Sequence, residues 1–229
     1  RGDRGGLGAD GGASLRAARV RIGPAAVAAG VYVGGAGTRA EIEDVLVSDL
    51  RTYGTGPSGY GLRFDTGATV TLRGVAVVRA TGVGLDAVHA GTHVEAERIV
   101  VADTRAPTDT DAPFLGLRAL NGATVGLHGA VVRGPHGLGV AARGAASALT
   151  LGEALVTGAR TGLYTSLGAA TVARQVALRG NEVGVHAIDP GSTVALEDAE
   201  VSGAALGGVF AEEGATATLT RVEIARCVR

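Results

Sequence analysis

Residues 191–211, Gly-Ser-Thr-Val-Ala-Leu-Glu-Asp-Ala-Glu-Val-Ser-Gly-Ala-Ala-Leu-Gly-Gly-Val-Phe-Ala, hold three short apolar alternations separated by two small breaks. Apolar residues fall at Val194 and Leu196, at Ala199 and Val201, and at Val209 and Ala211. Each pair has the period of two that marks a strand with one buried face. The breaks, Glu197-Asp198 and 202–208, are polar or glycine-rich, as corners require. Three strands joined by two corners make one rung of a three-sided coil.

The rest of the chain repeats this rung. A rung-opening glycine recurs at Gly12, Gly37, Gly67, Gly91, Gly122, Gly144, Gly168, Gly191 and Gly214, at intervals of 22 to 31 residues. A self-similar period of that size signals a solenoid. Counted from that glycine, apolar residues sit at offsets 3, 5, 8 and 10, as in Val70, Leu72, Val75 and Val77. The sixth rung is displaced by two residues, giving Leu149, Leu151, Ala154 and Val156. The seventh carries a polar residue at the first core offset: Thr171, then Ala173, Val176 and Leu178. A second glycine opens the third strand eight times, from Gly30-Val31-Tyr32-Val33 to Gly208-Val209-Phe210-Ala211. The reading is all-β: three short parallel strands per rung, about eight full rungs and a partial one, and a single domain over 1–229. Stacking is obligatory, because a lone rung can neither bury its apolar side nor pair its backbone groups. Helices are excluded by 39 glycines, by valine at the apolar positions and by the want of a sustained 3.6-residue period.

This repeat resembles that of the right-handed parallel β-helix proteins, the pectin-lyase-like superfamily, along essentially the whole chain. The resemblance implies a secreted or cell-surface location. It also implies polysaccharide chemistry in those members that are enzymes. Their lyases use clustered acids to hold Ca²⁺ and an arginine or lysine to remove a proton next to a uronate carboxylate. Asp103, Asp109 and Asp111 with Arg105 supply those residue types, but Thr104-Arg105-Ala106-Pro107 lacks the paired arginines around proline. Glycosidases need two carboxylates in separate roles. The matching outward column reads Tyr32, Arg63, Asp86, Arg118, Ala141, Tyr164, His186 and Phe210, with one acid in it. No cofactor and no metal are expected.

Composition narrows the partners. The formal charge is −1, from 21 arginines and no lysine against 22 acids, which offers no basic footprint for nucleic acid. No apolar run reaches membrane-spanning length, and none reads as a signal peptide. Arginine in place of every lysine, with abundant alanine and glycine, fits a GC-rich bacterial genome. Cys227 is the one cysteine, so no internal disulfide can form. The start at Arg1 and the end within a rung lead to the expectation of a segment of a longer chain.

Two irregularities point to function. From the last core residue of the second strand to the third-strand glycine an ordinary rung advances six to eight positions, whereas the second, Val47 to Gly61, advances 14 and the fourth, Val101 to Gly116, advances 15. These long connections, 48–60 and 102–115, leave the same corner two rungs apart and can wall a groove across the third face. Tyr53 and Tyr60 would give a sugar its apolar platform, with Arg63, Asp86, Arg105 and Arg118 as the polar ligands. Arg63 and Arg118 can pair with Asp86 or grip the carboxylate of an acidic sugar. The other irregularity is an apolar stripe on the outward side of the second strands: Leu46, Ala76, Val100, Val131, Leu155 and Ala177. A water-facing sheet is normally polar there, so the stripe is expected to contact protein. The leading reading is a non-catalytic scaffold, stalk or binding module. The alternative is a polysaccharide-active enzyme with its site between the two long connections.

Overall fold

A computed structural model describes residues 5–51, 59–106, 114–135 and 137–228. Every described strand pairs parallel to its neighbours, giving an all-β solenoid of about eight rungs. The third strands form a nine-stranded sheet that runs from Gly5–Asp10 through Tyr60–Asp65, Val83–Val88 and Leu115–Leu120 to Gly207–Ala211. First and second strands form two further faces. They join into one sixteen-stranded sheet because Thr193–Ser202 runs through the corner as a single strand, as does Thr216–Ala225.

The register agrees with the repeat offsets. Val70 pairs with Ala40 and Val94, and Val77 with Val47 and Val101. The displaced sixth rung pairs Leu149 with Val125 and Val156 with Val132, so Ala146, whose φ is 61°, stands where other rungs have their opening glycine. Thr171, polar among core residues, is buried, and its hydroxyl pairs with that of Thr165 at 2.7 Å. Leu219 and Ile224 belong to the last described layer and stay 42% and 46% exposed. One strand differs from the sequence reading, which begins the third column at Gly30. Gly5–Asp10 already pairs with Ala29–Gly34, placing Leu7 beside Val31 and Ala9 beside Val33. Among so many glycines, Leu7 and Ala9 alone make too faint an alternation to be noticed.

The third-strand glycines answer a demand for space. A Cβ on Gly84 would lie 2.3 Å from Val101 Cγ1 and 2.6 Å from the carbonyl oxygen of Gly116, both in the next rung. The same clash with the next rung's valine and glycine carbonyl recurs at Gly61 and Gly116. Backbone cannot yield as a side-chain tip can, so Gly84→Ala is expected to cost about 1–3 kcal/mol. Gly152→Ala, whose Cβ would come no closer than 3.1 Å to His128 Nδ1, should be nearly neutral. Thermal melts of the two variants check this, and equal melting temperatures would contradict it.

At the rung opening, alanine and hydroxyl residues alternate: Thr38, Ala68, Thr92, Ala123, Ser147, Ala169, Ser192. Each hydroxyl faces inward. Thr92 Oγ1 donates to the carbonyl of Val88 and accepts the amide of Gly67 one rung below. Thr38 and Ser147 make the same two bonds. Thr69, Thr124 and Thr193 point instead to solvent, so the threonines of the sequence divide between two columns.

Candidate functional site

The site is built on the third face, where a strand exposes alternate side chains. Tyr60–Asp65, Val83–Val88 and Leu115–Leu120 stack in register, with Arg63 beside Asp86 and Asp86 beside Arg118. Parallel strands are about 4.8 Å apart, so side chains from adjacent rungs meet directly. Arg118 Nε donates to Asp86 Oδ1 at 2.8 Å, and Arg63 Nη1 to Asp86 Oδ2 at 3.4 Å. Both carboxylate oxygens are therefore used.

The sequence reading expected these three groups on an open surface. Asp86 is in fact wholly buried, with 27% of the Arg63 side chain and 16% of the Arg118 side chain accessible. On the same face lies a second apolar cluster, separate from the axial core: Ala29, Tyr60, Val83, Leu115 and Ala141, with Tyr32, Leu138 and Tyr164 packed alongside. Tyr60 is 7% exposed, and the Arg63 guanidinium lies 4.9 Å from its ring centre. Its ring face is thus already occupied by a cation from its own strand. The signal for this cluster is in the sequence: the residues before the first five third-strand glycines read Ala29, Tyr60, Val83, Leu115 and Leu138.

Two further residues join the ion pairs. Arg63 Nη2 reaches Asp65 Oδ2 at 3.4 Å, while His89 Nδ1 and Thr66 Oγ1 approach Asp65 Oδ1 at 2.5 and 2.8 Å. A continuous chain of contacts results: Arg118, Asp86, Arg63, Asp65, His89. Burial acts to raise the Asp65 pKa, but the hydrogen bonds from His89 and Thr66 and the Arg63 charge outweigh it, leaving it lowered. Burial likewise pulls the Arg63 pKa down, while Asp86, Tyr60 and Asp65 lift it above its ordinary value. Both shifts favour the charged forms of Asp65 and Arg63.

Arg105 is placed elsewhere. Its backbone pairs with Thr81, its side chain is exposed, and its charge acts on Asp49. Asp49 belongs to a separate ladder: Arg79 donates to it through Nε at 2.6 Å and Nη2 at 2.8 Å. That fork holds the Asp49 carboxyl down at about 2. Asp103 adds its attraction on Arg79 from the rung above. Tyr53, Asp109 and Asp111, with residues 52–58 and 107–113 of the two long connections, lie outside the described residues. Among the described residues no three His, Cys, Asp or Glu side chains converge as a metal site would need.

The described histidines each face an acid: His93 with Glu95, His128 with Glu153, His186 with Glu212, besides His89 with Asp65. Farther up the third face, Tyr164, His186 and Phe210 stack edge to face, with centroids 5.7 and 6.2 Å apart. No helix among the described residues is long and apolar enough to cross a membrane.

No family model matches the chain, and no curated protein matches it either. Among solved structures, the chain aligns over 93% of its length with 91% of a chain of QnrB1, a plasmid-mediated fluoroquinolone resistance protein. The identity is 11% and the TM-score 0.21, a likeness too slight to bear on function.

Proposed function

We propose that the chain is a non-catalytic β-solenoid scaffold or binding module of a secreted or cell-surface bacterial protein. The observation that carries this reading is how its charged side chains are used. On the third face Asp86 is divided between two arginines, and Asp65 is held by Arg63, His89 and Thr66. At the corners Asp49 is held by Arg79, and Glu197 and Asp198 by Arg221. Acid catalysis calls for a carboxyl whose pKa is raised toward the working pH. Asp49, Asp65, Glu197 and Asp198 are all shifted the other way. Such ladders join rung to rung and suit a rigid support. The location rests on the resemblance to pectin-lyase-like proteins.

As a binding module, its ligand would be an anionic polysaccharide taken up at Arg63 and Arg118. A second reading, a polysaccharide-active enzyme, draws on the two long connections that leave one corner on either side of the Asp86 rung. One titration separates the readings. Uronate oligomers are added to the chain by calorimetry, and the mixture is then analysed for shortened products. Binding without cleavage is expected, and loss of one charge-assisted bond in Arg118→Ala should weaken it by about 1–3 kcal/mol. Product formation would establish the enzyme instead. No heat with any uronate would leave the cluster as a structural element alone.

A further inference from the structure

The outward column of the second strands continues at both ends into charge. In register it reads Arg21, Leu46, Ala76, Val100, Val131, Leu155, Ala177, Glu200 and Glu223. The six apolar members span about 24 Å of the axis. Each is partly accessible, with Val100 at 37%. A shallow trough runs beside Val131, Leu155 and Ala177.

We infer that this face is where two copies of the chain associate, antiparallel, about a two-fold axis between the rungs of Val100 and Val131. Turning the column end over end about that point gives a self-complementary match. Leu46 meets Ala177, Ala76 meets Leu155, and Val100 meets Val131, so each large side chain faces a small one and the central pair is equal. Beyond the apolar core of the contact, Arg21 meets Glu200. The adjoining corner column repeats this match, because Arg19 meets Asp198. A two-fold contact must be self-complementary in this way. The parallel alternative sets Arg21 on Arg21, Glu200 on Glu200 and Glu223 on Glu223, and like charges at close range are repulsive. Charge therefore selects the antiparallel dimer. Glu200 and Asp198 already hold Arg179 and Arg221 within their own chain, so each would share its carboxylate across the interface.

The face is narrow. Three residues per strand over about eight rungs amount to roughly 400 Å² per copy, at the low end of specific interfaces. A weak dimer follows.

The test uses sedimentation velocity over a concentration series, with circular dichroism to verify the fold of each variant. The chain is expected to pass from monomer to dimer, and Val100→Glu to weaken dimerisation at least tenfold, with Val131→Glu as an independent copy of the test. Orientation is read by disulfide trapping in a Cys227→Ser background. Ala76→Cys mixed with Leu155→Cys should cross-link, while Ala76→Cys alone should not. A chain that stays monomeric up to millimolar concentration overturns the inference. So does association that survives both glutamates, which would point to end-to-end stacking, and so does self-cross-linking of Ala76→Cys, which would mean a parallel pair.

Discussion

Val75→Asp is expected to lower the melting temperature by at least about 10 °C at pH 7 and to recover much of that loss as the pH falls toward 4. Val75 is 1% exposed, at offset 8 of the third rung, in the axial core. A carboxylate there has no partner, so the group will fold in its protonated form. Taking up a proton at pH 7 against an ordinary pKa near 3.9 costs about 4 kcal/mol, before the lost valine packing is counted. Here the folded pKa is raised above the unfolded one. The penalty is therefore full well above the folded value and fades as pH drops to the unfolded value. A loss of about 4 kcal/mol moves a domain of this size by roughly 8–16 °C. Thr69→Asp is the control: Thr69 points to solvent between Arg39 and His93 and should melt like the parent. A pH-independent defect, or equal melting of the two variants, would mean that the register is wrong.

That register is the part of the molecule most legible in the sequence. Offsets 3, 5, 8 and 10 recur because a solenoid presents the same environment to every rung, so each position is specified many times over. The displaced sixth rung was as readable as the others, since Leu149, Leu151, Ala154 and Val156 keep their mutual spacing. Gly5–Asp10 was not, because one leucine and one alanine among glycines do not stand out from a loop. The joining of first and second faces through Thr193–Ser202 was also hidden. Asp198 turns the corner at a φ of 51°, as Asp44, Arg98, Glu153 and Gln175 do in earlier rungs, and nothing in its side chain distinguishes a broken strand from a continuous one.

The candidate site was legible only in part, and for a physical reason. Alternation places Arg63, Asp86 and Arg118 on the outward side, and the register makes them neighbours; both follow from period two. Alternation does not say what lies over an outward side chain. Ala29, Tyr60, Val83, Leu115 and Leu138, each just before a third-strand glycine, gather in a second cluster apart from the axial core, and Asp86 on the same face is wholly buried. An outward aspartate can thus be as buried as a core valine. Asp65 and His89 were passed over because they sit at the strand end and in the following corner, outside the column being read. The sequence groups Arg105 with Asp86 because the connection 102–115 is expected to wall the groove over Asp86, whereas the Arg105 backbone is anchored to Thr81 and its charge serves the Asp49 ladder.

Burial of Asp86 turns its substitution into a test of what the cluster is for. Asp86→Ala would leave two guanidinium groups aimed at a vacated, enclosed position, and breaking a buried ionic triad from one side costs about 3–5 kcal/mol. The melting temperature should drop by roughly 6–20 °C. Asp86→Asn keeps the shape and an acceptor for Arg118 Nε but loses the charge, so it should fall between parent and Asp86→Ala. Changing all three members at once behaves differently. In an Arg63→Met, Asp86→Leu, Arg118→Met variant no unpaired charge is left, and the new side chains extend the cluster of Tyr60, Val83 and Leu115. Well-packed apolar replacements of a buried triad are often neutral or stabilising, because desolvation offsets most of the attraction. The triple variant should therefore melt within a few degrees of the parent, well above Asp86→Ala. Titrating uronate oligomers against it then separates the two roles. A stable triple variant that has lost binding assigns the arginines to the ligand. A triple variant as unstable as Asp86→Ala would show that the geometry of the ion pairs, and not the avoidance of an unpaired charge, holds these three rungs together.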